Sequence, residues 1–382
     1  MRSSADVVII GGGIIGFAVA FHLAQAKFGQ IVLVEKEAMI GEGSTAKAAG
    51  GIRAQFAQRV NVEMSMMSQK FFKRFKEETG SHALYDQVGY LFLLDNDNDV
   101  ATFTKSAEMQ NELGLPVQLL EPKKIAKIAP HVRIDDIKLG TFCIEDGIGD
   151  PWEFLSGFEK AARNMGVEIL FEAEAEAIDV EAGQVTGIHT KQGIIKTPLV
   201  VNCAGAYSKQ IAAMVGGKLE VEPFKRQIVN TAELDFVKPF FPMVVDVTTG
   251  LYCHRESKGL LLGWADKTRG PSYDISVDPE YTDTILEKAL NRIPQLETAE
   301  IANQWAGLYE STPDHLAVIG WEEKAKGMFH CCGFSGHGVM HAPAAGRMTA
   351  ELLLRKVPSI DISNLSPARF ARGELVEETN VI

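Results

Sequence analysis

Val7-Val8-Ile9-Ile10-Gly11-Gly12-Gly13-Ile14-Ile15-Gly16 decides the reading of this chain: four apolar β-formers run straight into a glycine turn, and a helical pattern follows through Lys27. A second apolar run, Ile31 to Val34, ends in Glu35 and Lys36. Strand, Gly-x-Gly-x-x-Gly turn, helix, strand and acid in this order predict a dinucleotide-binding βαβ unit. Gly11 permits the tight turn. Gly13 lets the backbone approach a pyrophosphate at the helix N-terminus, where Ile14 and Ile15 begin the first turn, and Gly16 lets the helix lie close on the sheet. Glu35 follows Gly16 by 19 residues, near the roughly 20 expected of a carboxylate that accepts from ribose hydroxyls.

Val7 to Ala26 contains few polar side chains, yet it does not read as an export signal or a membrane span. Consecutive glycines break it, Asp6 flanks it, and neither a basic cluster nor a small-residue cleavage site frames it. The expectation is a soluble, cytoplasmic protein. At 382 residues the chain exceeds one compact core and suits two domains. Its net charge of −12 argues against nucleic acid or an anionic membrane surface as partner, while leaving room for an anionic substrate in a local basic pocket. The five cysteines, Cys143, Cys203, Cys253, Cys331 and Cys332, are scattered without a Cys-x-x-Cys spacing, which predicts reduced thiols and no metal site.

Beyond the first unit, Gly41-Glu42-Gly43-Ser44-Thr45 makes a small-residue loop, and the pattern predicts helices over 60–78, 100–113 and 151–165. Strands are expected at 85–94, 168–171, 187–190 and 193–197. Leu199-Val200-Val201-Asn202-Cys203-Ala204-Gly205-Ala206 reads as a buried strand ending in small residues, as needed where backbone passes a bound cofactor. Residues 221–310 are rich in strand-like segments and predict an antiparallel sheet. Near the C-terminus, Met328 to Cys332 is a strand leading into Gly333-Phe334-Ser335-Gly336-His337-Gly338 and a small-residue helix through Leu354. Nucleotide-type elements at both ends of a β-rich middle imply an interleaved α/β chain. A discontinuous Rossmann-like domain takes 1–84, 141–220 and 311–382, and an antiparallel β-sheet domain for the substrate takes 85–140 and 221–310.

The fingerprint, the strand ending in Asn202 to Ala206 and the Gly333–Gly338 loop, in this order, resemble the D-amino-acid oxidase-like flavoproteins. Within them the chain is most similar to sarcosine oxidase β subunits, glycine oxidases and the β subunit of archaeal L-proline dehydrogenase. Ser44-Thr45, Gly50-Gly51-Ile52-Arg53-Ala54-Gln55-Phe56, Thr312-Pro313-Asp314 and Ala342-Pro343 carry the likeness to the last of these. The resemblance implies extended FAD with its ADP half on the first βαβ unit. Glu35 would hold ribose, Ser44 and Thr45 the pyrophosphate region, and Ala175 and Gly205, with Cys203 and Ala204, the adenine and linker side. Gly333, Phe334, Ser335, Gly336, His337 and Gly338 would lie beside the flavin, whose anionic reduced form a helix N-terminus stabilises.

Departures from the family pattern sharpen this expectation. Gly307 stands where some sarcosine oxidases carry a flavin-bearing cysteine, so the FAD is expected to be noncovalent. Tyr309 follows Trp305-Ala306-Gly307-Leu308 where glycine oxidases have a carboxylate-binding arginine, and Met340 replaces a lysine of similar purpose. Arg53 then becomes the expected carboxylate ligand, since its planar fork suits bidentate binding. Tyr309 and Tyr252 are pocket candidates, and His337 is a candidate flavin neighbour. Leu261 stands where oxidases place an oxygen-activating lysine, which favours a dehydrogenase passing electrons to a partner subunit or carrier.

The expected reaction is oxidation of a small amino acid or secondary amine of the proline, sarcosine or glycine type, by hydride transfer to flavin N5 and imine hydrolysis. The alternatives are an FAD enzyme for a hydroxy acid or polyol phosphate, and a flavin-bearing relay subunit active only in a hetero-oligomer with a second flavin, FMN. A homo-oligomer is the other assembly expected. An NAD(P) dehydrogenase would need a separate nicotinamide domain, for which no signal is present.

Overall fold

In the computed structural model, which describes residues 3–266 and 268–380, the first apolar run is the strand Val7–Ile10. It pairs in parallel with Ile31–Val34 on one side and Val200–Asn202 on the other. Glu168–Leu170 and Met328–Cys332 extend this parallel sheet, and Val318–Trp321 closes one edge antiparallel. Strands buried on both faces need apolar residues at every position, which is why the run reads Val-Val-Ile-Ile without alternation. Val7, Ile9, Leu33 and Val201 face a core built with helices Ile14–Gln25, Pro151–Asn164 and Gly338–Leu353. Val8, Ile10, Val32 and Val34 face a second core, against the three-stranded meander spanning residues 175–196.

The β-rich middle is an eight-stranded sheet among the described residues. Its order is Ile301–Ser311, Glu222–Thr231, Gly259–Trp264, Leu251–Glu256, Met243–Asp246, Tyr90–Leu94, Leu139–Cys143 and Val117–Leu120. The expected antiparallel pairing holds except at one seam, where Met243–Asp246 runs parallel to Tyr90–Leu94. That seam joins two separate excursions of the chain into this sheet. The return connection passes through the nucleotide-type sheet, and such a crossover, unlike a hairpin, can deliver a parallel strand. Leu139–Cys143 pairs along its whole length in this sheet, so the expected boundary at 140 falls inside a strand.

Two further differences have local causes. The predicted helix over 60–78 is broken at Arg74, whose φ of −115° ends Arg59–Lys73 before Phe75–Thr79 begins. Residues 279–292, read as part of a strand-rich region, form the helix Pro279–Arg292. Its start signal was present in Asp278-Pro279-Glu280: the Asp278 carboxylate accepts from the Glu280 and Tyr281 N–H groups, and proline sits in the first turn. Tyr281, Ile285 and Ala289 lay its apolar face on Val229, Leu260 and Leu262 of the sheet. The opposite face of that sheet, with Tyr90, Ile228, Tyr252 and Leu261, is left for the site. Among the described residues no helix is long and apolar enough to cross a membrane.

Thr312-Pro313-Asp314 carries the chain from the eight-stranded sheet back to the first. There Asp314 takes the guanidinium of Arg369 through bonds of 2.7 and 3.0 Å, both side chains buried. Removing one member of such a pair strands the other charge in a dry interior. Asp314→Ala is expected to cost about 3–5 kcal/mol in equilibrium denaturation. A loss below about 1 kcal/mol, the range of exposed pairs, would show that the turn holds without it.

Candidate active site

A cavity of about 500 Å³ lies between the two large sheets and takes its walls from both. At Gly11, where φ is +111°, any Cβ would collide with the Cys203 carbonyl, so the glycine turn and the end of strand Val200–Asn202 touch backbone to backbone. Glu35 is oriented from within the protein: its carboxylate accepts from Gly12 N–H at 2.6 Å and from Glu37 N–H at 2.9 Å. Thr45 Oγ1 accepts from Ile14 N–H at 3.2 Å, which pins the Gly41–Thr45 loop against the N-terminus of the first helix.

Many of the residues singled out in the sequence do line this cavity. Gly11, Gly13, Ile14 and Ile15 do so from the fingerprint, Glu35 and Lys36 from the second strand end, and Ser44 and Thr45 from the loop. Ala175, Cys203, Ala204, Gly205, Gly307, Gly336 and Gly338 complete that set, with Tyr252 and Tyr309 from the larger sheet. Others stand behind the wall. Gly16 is spent on helix packing, where a side chain would strike the Gly11 carbonyl. Gly50 accepts from Gly149 N–H, and Gly51 and Ile52 pair with Ile148 and Gly147, so Ala48 and Ala49 line the cavity in their place. Gly333, Phe334 and Ser335 form the turn behind Gly336, and Met340 is buried in the helix core.

Arg53 and His337 are not among the lining residues. Arg53 is 1% exposed and does not line the cavity. Its guanidinium donates to the carbonyls of Gln55 and Asn380, the latter at 2.6 Å, and stacks 3.8 Å over the Phe56 ring. His337 Nε2 lies 3.3 Å from Arg53 Nη2. Burial and the Arg53 charge hold the imidazole well below its usual pKa. Because an arginine can only donate, Nε2 is the acceptor and the proton sits on Nδ1. Both residues therefore brace the wall. The tail that supplies Asn380 is itself anchored, with the buried Glu378 carboxylate accepting from Ala57, Gln58 and Asn61.

The cation that reaches the cavity beside the two tyrosines is Arg226, from strand Glu222–Thr231. Its guanidinium carbon is 5.0 Å from the Tyr309 ring centre, Nη1 donates to the Lys225 carbonyl at 3.0 Å, and Nε is buried without a partner. Burial raises the pKa of both Tyr252 and Tyr309, with Arg226 pulling each partly back, so both remain phenols at neutral pH. A Cβ at Gly336, φ +89°, would strike the Tyr309 ring, so the turn before the C-terminal helix rests directly on that tyrosine. Arg226 was legible in principle: it shares a strand face with Ile228, two residues on, within the region 221–310 read as rich in strand-like segments. Tyr207 and Tyr273, stacked at 5.2 Å with Lys36 over Tyr207, also line the cavity and carried no motif.

A family model described as "DAO: FAD dependent oxidoreductase" matches residues 6–352. FAD-dependent oxidoreductase domain-containing protein 1 of Xenopus laevis is 29% identical over 430 residues, covering 99% of this chain and 85% of that protein. Among solved structures, L-proline dehydrogenase from P. horikoshii superposes with a TM-score of 0.92 at 34% identity, over 98% of this chain and 100% of that one. Glycine oxidase from Geobacillus kaustophilus gives 0.85 at 25% identity, over 96% and 99%.

All five cysteines are buried and unpaired. Cys203 and Cys331 touch the cavity, and burial raises the Cys203 and Cys332 thiols well above their usual range. An aromatic disulfide reagent at pH 8 is expected to label less than one thiol per native chain and all five after denaturation. Rapid labelling of two thiols in the native protein would show that the cavity opens at Cys203 and Cys331.

Proposed function

Since the chain belongs to the DAO family of FAD-dependent oxidoreductases, we propose that it oxidises a small amino acid or secondary amine of the proline, sarcosine or glycine type. The observation that carries this reading is Arg226, whose buried Nε has no partner, set beside Tyr252 and Tyr309 in the cavity that also holds the glycine fingerprint. The likeness to L-proline dehydrogenase and glycine oxidase supports the amine class.

The residues fit FAD. A glycine turn closed against the Cys203 carbonyl, a pre-oriented Glu35 for ribose, and a helix N-terminus at Gly338 and Val339 lining the same cavity make a cradle for an extended anionic dinucleotide. In this reading Ser44 and Thr45 serve the pyrophosphate region, and Ala175 and Gly205 the adenine and linker side. Gly307 offers no thiol for attachment, which favours noncovalent FAD. Bound FAD supplies the two-electron acceptor: the C–H next to the amine nitrogen leaves as hydride, and the imine so formed takes up water.

The chain's own residues then have three tasks. Arg226 receives the substrate carboxylate with charge-assisted donors. Tyr252 and Tyr309, held as phenols, donate hydrogen bonds and do not take a proton from carbon. Arg53 and His337 fix the wall behind them. Leu261 is buried in the same apolar cluster as Tyr252 and Ile228, and this uncharged neighbour favours a partner subunit or carrier over oxygen as electron acceptor. A second flavin, FMN, belongs to this reading only if such a partner subunit brings a site for it.

The test is anaerobic titration with proline, sarcosine, glycine and a 2-hydroxy acid, following bleaching of the flavin band. Bleaching by an amine supports the proposal, with ammonia or an amine released from glycine or sarcosine and a cyclic imine formed from proline; bleaching by the hydroxy acid alone reassigns the substrate class. Arg226→Leu is expected to retain FAD and to raise the amino-acid concentration for half-bleaching about 10- to 100-fold, the loss of one or two charged hydrogen bonds. An unchanged midpoint would remove Arg226 from the carboxylate role. Arg53→Leu should instead lower the melting temperature.

A further inference from the structure

Glu310 occupies the end of strand Ile301–Ser311, opposite Pro223, and lines the cavity. A Cβ placed on Gly205 would lie 3.4 Å from its Oε2, so the carboxyl group stands against the strand end whose preceding carbonyl closes the fingerprint turn. Its contacts within the protein are sparse. Oε1 receives a long bond of 3.4 Å from Phe334 N–H, and Oε2 is buried with no hydrogen-bond partner. The groups that bear on it are the thiols of Cys203 and Cys332 and the backbone N–H groups of Gly333 and Phe334. No cation is among them, and burial pushes its pKa up to about 7.

An ionised carboxylate here would lack a counter-ion, and would share the cavity with a doubly charged pyrophosphate. A protonated carboxyl has the opposite character, since it offers one O–H donor to an acceptor oxygen in the cavity. We propose, building on the FAD reading above, that Glu310 binds the cofactor as a neutral carboxylic acid, its Oε2–H donating to an oxygen of the dinucleotide. Binding of FAD near neutral pH is then coupled to uptake of a proton from solvent. The direction follows from linkage. A group whose protonated form binds the ligand loses affinity as pH rises past its free-state pKa, by about tenfold per unit while the bound form keeps its proton. Glu310 thereby makes cofactor retention, and not only turnover, dependent on pH.

The test uses apoprotein and FAD, with affinity read by quenching of flavin fluorescence from pH 6 to 8.5. The wild type is expected to bind with a flat profile below the pKa near 7 and to weaken about tenfold per pH unit above it. Calorimetry at pH 8 in two buffers of different ionisation enthalpy should report uptake approaching one proton per FAD bound. Glu310→Gln keeps the shape and an N–H donor without a titrating proton, so its affinity should be level across the range and its proton uptake should vanish. No histidine lines the cavity among the described residues to mimic the effect. A flat wild-type profile without proton uptake, or the same slope in Glu310→Gln, would overturn the assignment. Should the variant fail to fold, the wild-type calorimetry decides alone. Failure of the wild type to bind FAD at any pH would overturn the cofactor reading and this assignment with it, whereas FAD binding without proton uptake overturns only the role of Glu310.

Discussion

The long antiparallel ladder between Glu222–Thr231 and Ile301–Ser311 is the constraint on which the site depends. Its register sets Arg226 opposite Gly307, Phe224 opposite Tyr309 and Pro223 opposite Glu310. Side chains alternate along a strand, so a slip of one residue would exchange Arg226 for Lys225, which points away to bind Asp274 at 2.7 Å. The same ladder is the mechanical link between the two sheets. At its end Ser335 N–H donates to the Glu310 carbonyl at 2.9 Å and Thr312 N–H to Ser335 Oγ at 3.2 Å, tying the wall of the larger sheet to the turn before helix Gly338–Leu353. A sheet that ends in this way cannot shift against the nucleotide fold without moving Tyr309 and Gly336 together.

Charge is distributed in the cavity by the same geometry. Tyr252, Tyr309 and Glu310 are each displaced by burial toward the protonated form, as is Cys203. Titratable groups of the larger sheet's wall are thus kept uncharged, and Arg226 remains the cation facing them. Elsewhere the cavity lining carries both signs, with Glu35, Glu37, Glu42 and Glu174 alongside Lys36 and Lys47.

What could be read in the sequence was local. The apolar run Val7 to Ile10, the glycines after it and the spacing to Glu35 each belong to one short segment, and their physical reasons are complete within it. Asn202 to Gly205 and Gly336 to Gly338 were equally legible, because small residues announce close backbone approach wherever the partner comes from. The surroundings of Arg53 and His337 were not legible, because the direction of the guanidinium depends on the carbonyl of Asn380, more than 300 residues away from Arg53 in the chain. Arg226 escaped notice for a different reason: it lies on the strand Glu222–Thr231, whose pairing with Ile301–Ser311 sets it opposite Gly307, and that long-range partner is not visible in the local sequence. Glu310 needed the most distant information, since nothing near it in sequence says that its carboxyl lacks a counter-ion.

The anchorage of Arg53 also orders events in time. Residue 53 leaves the ribosome more than 300 residues ahead of Glu378 and Asn380. Until those residues emerge, the Gln55 carbonyl is within reach of the guanidinium and the Asn380 carbonyl is not. The glycine fingerprint and its neighbouring strand Ile31–Val34 can begin to fold as they emerge, whereas the wall behind the tyrosines waits for a segment translated much later.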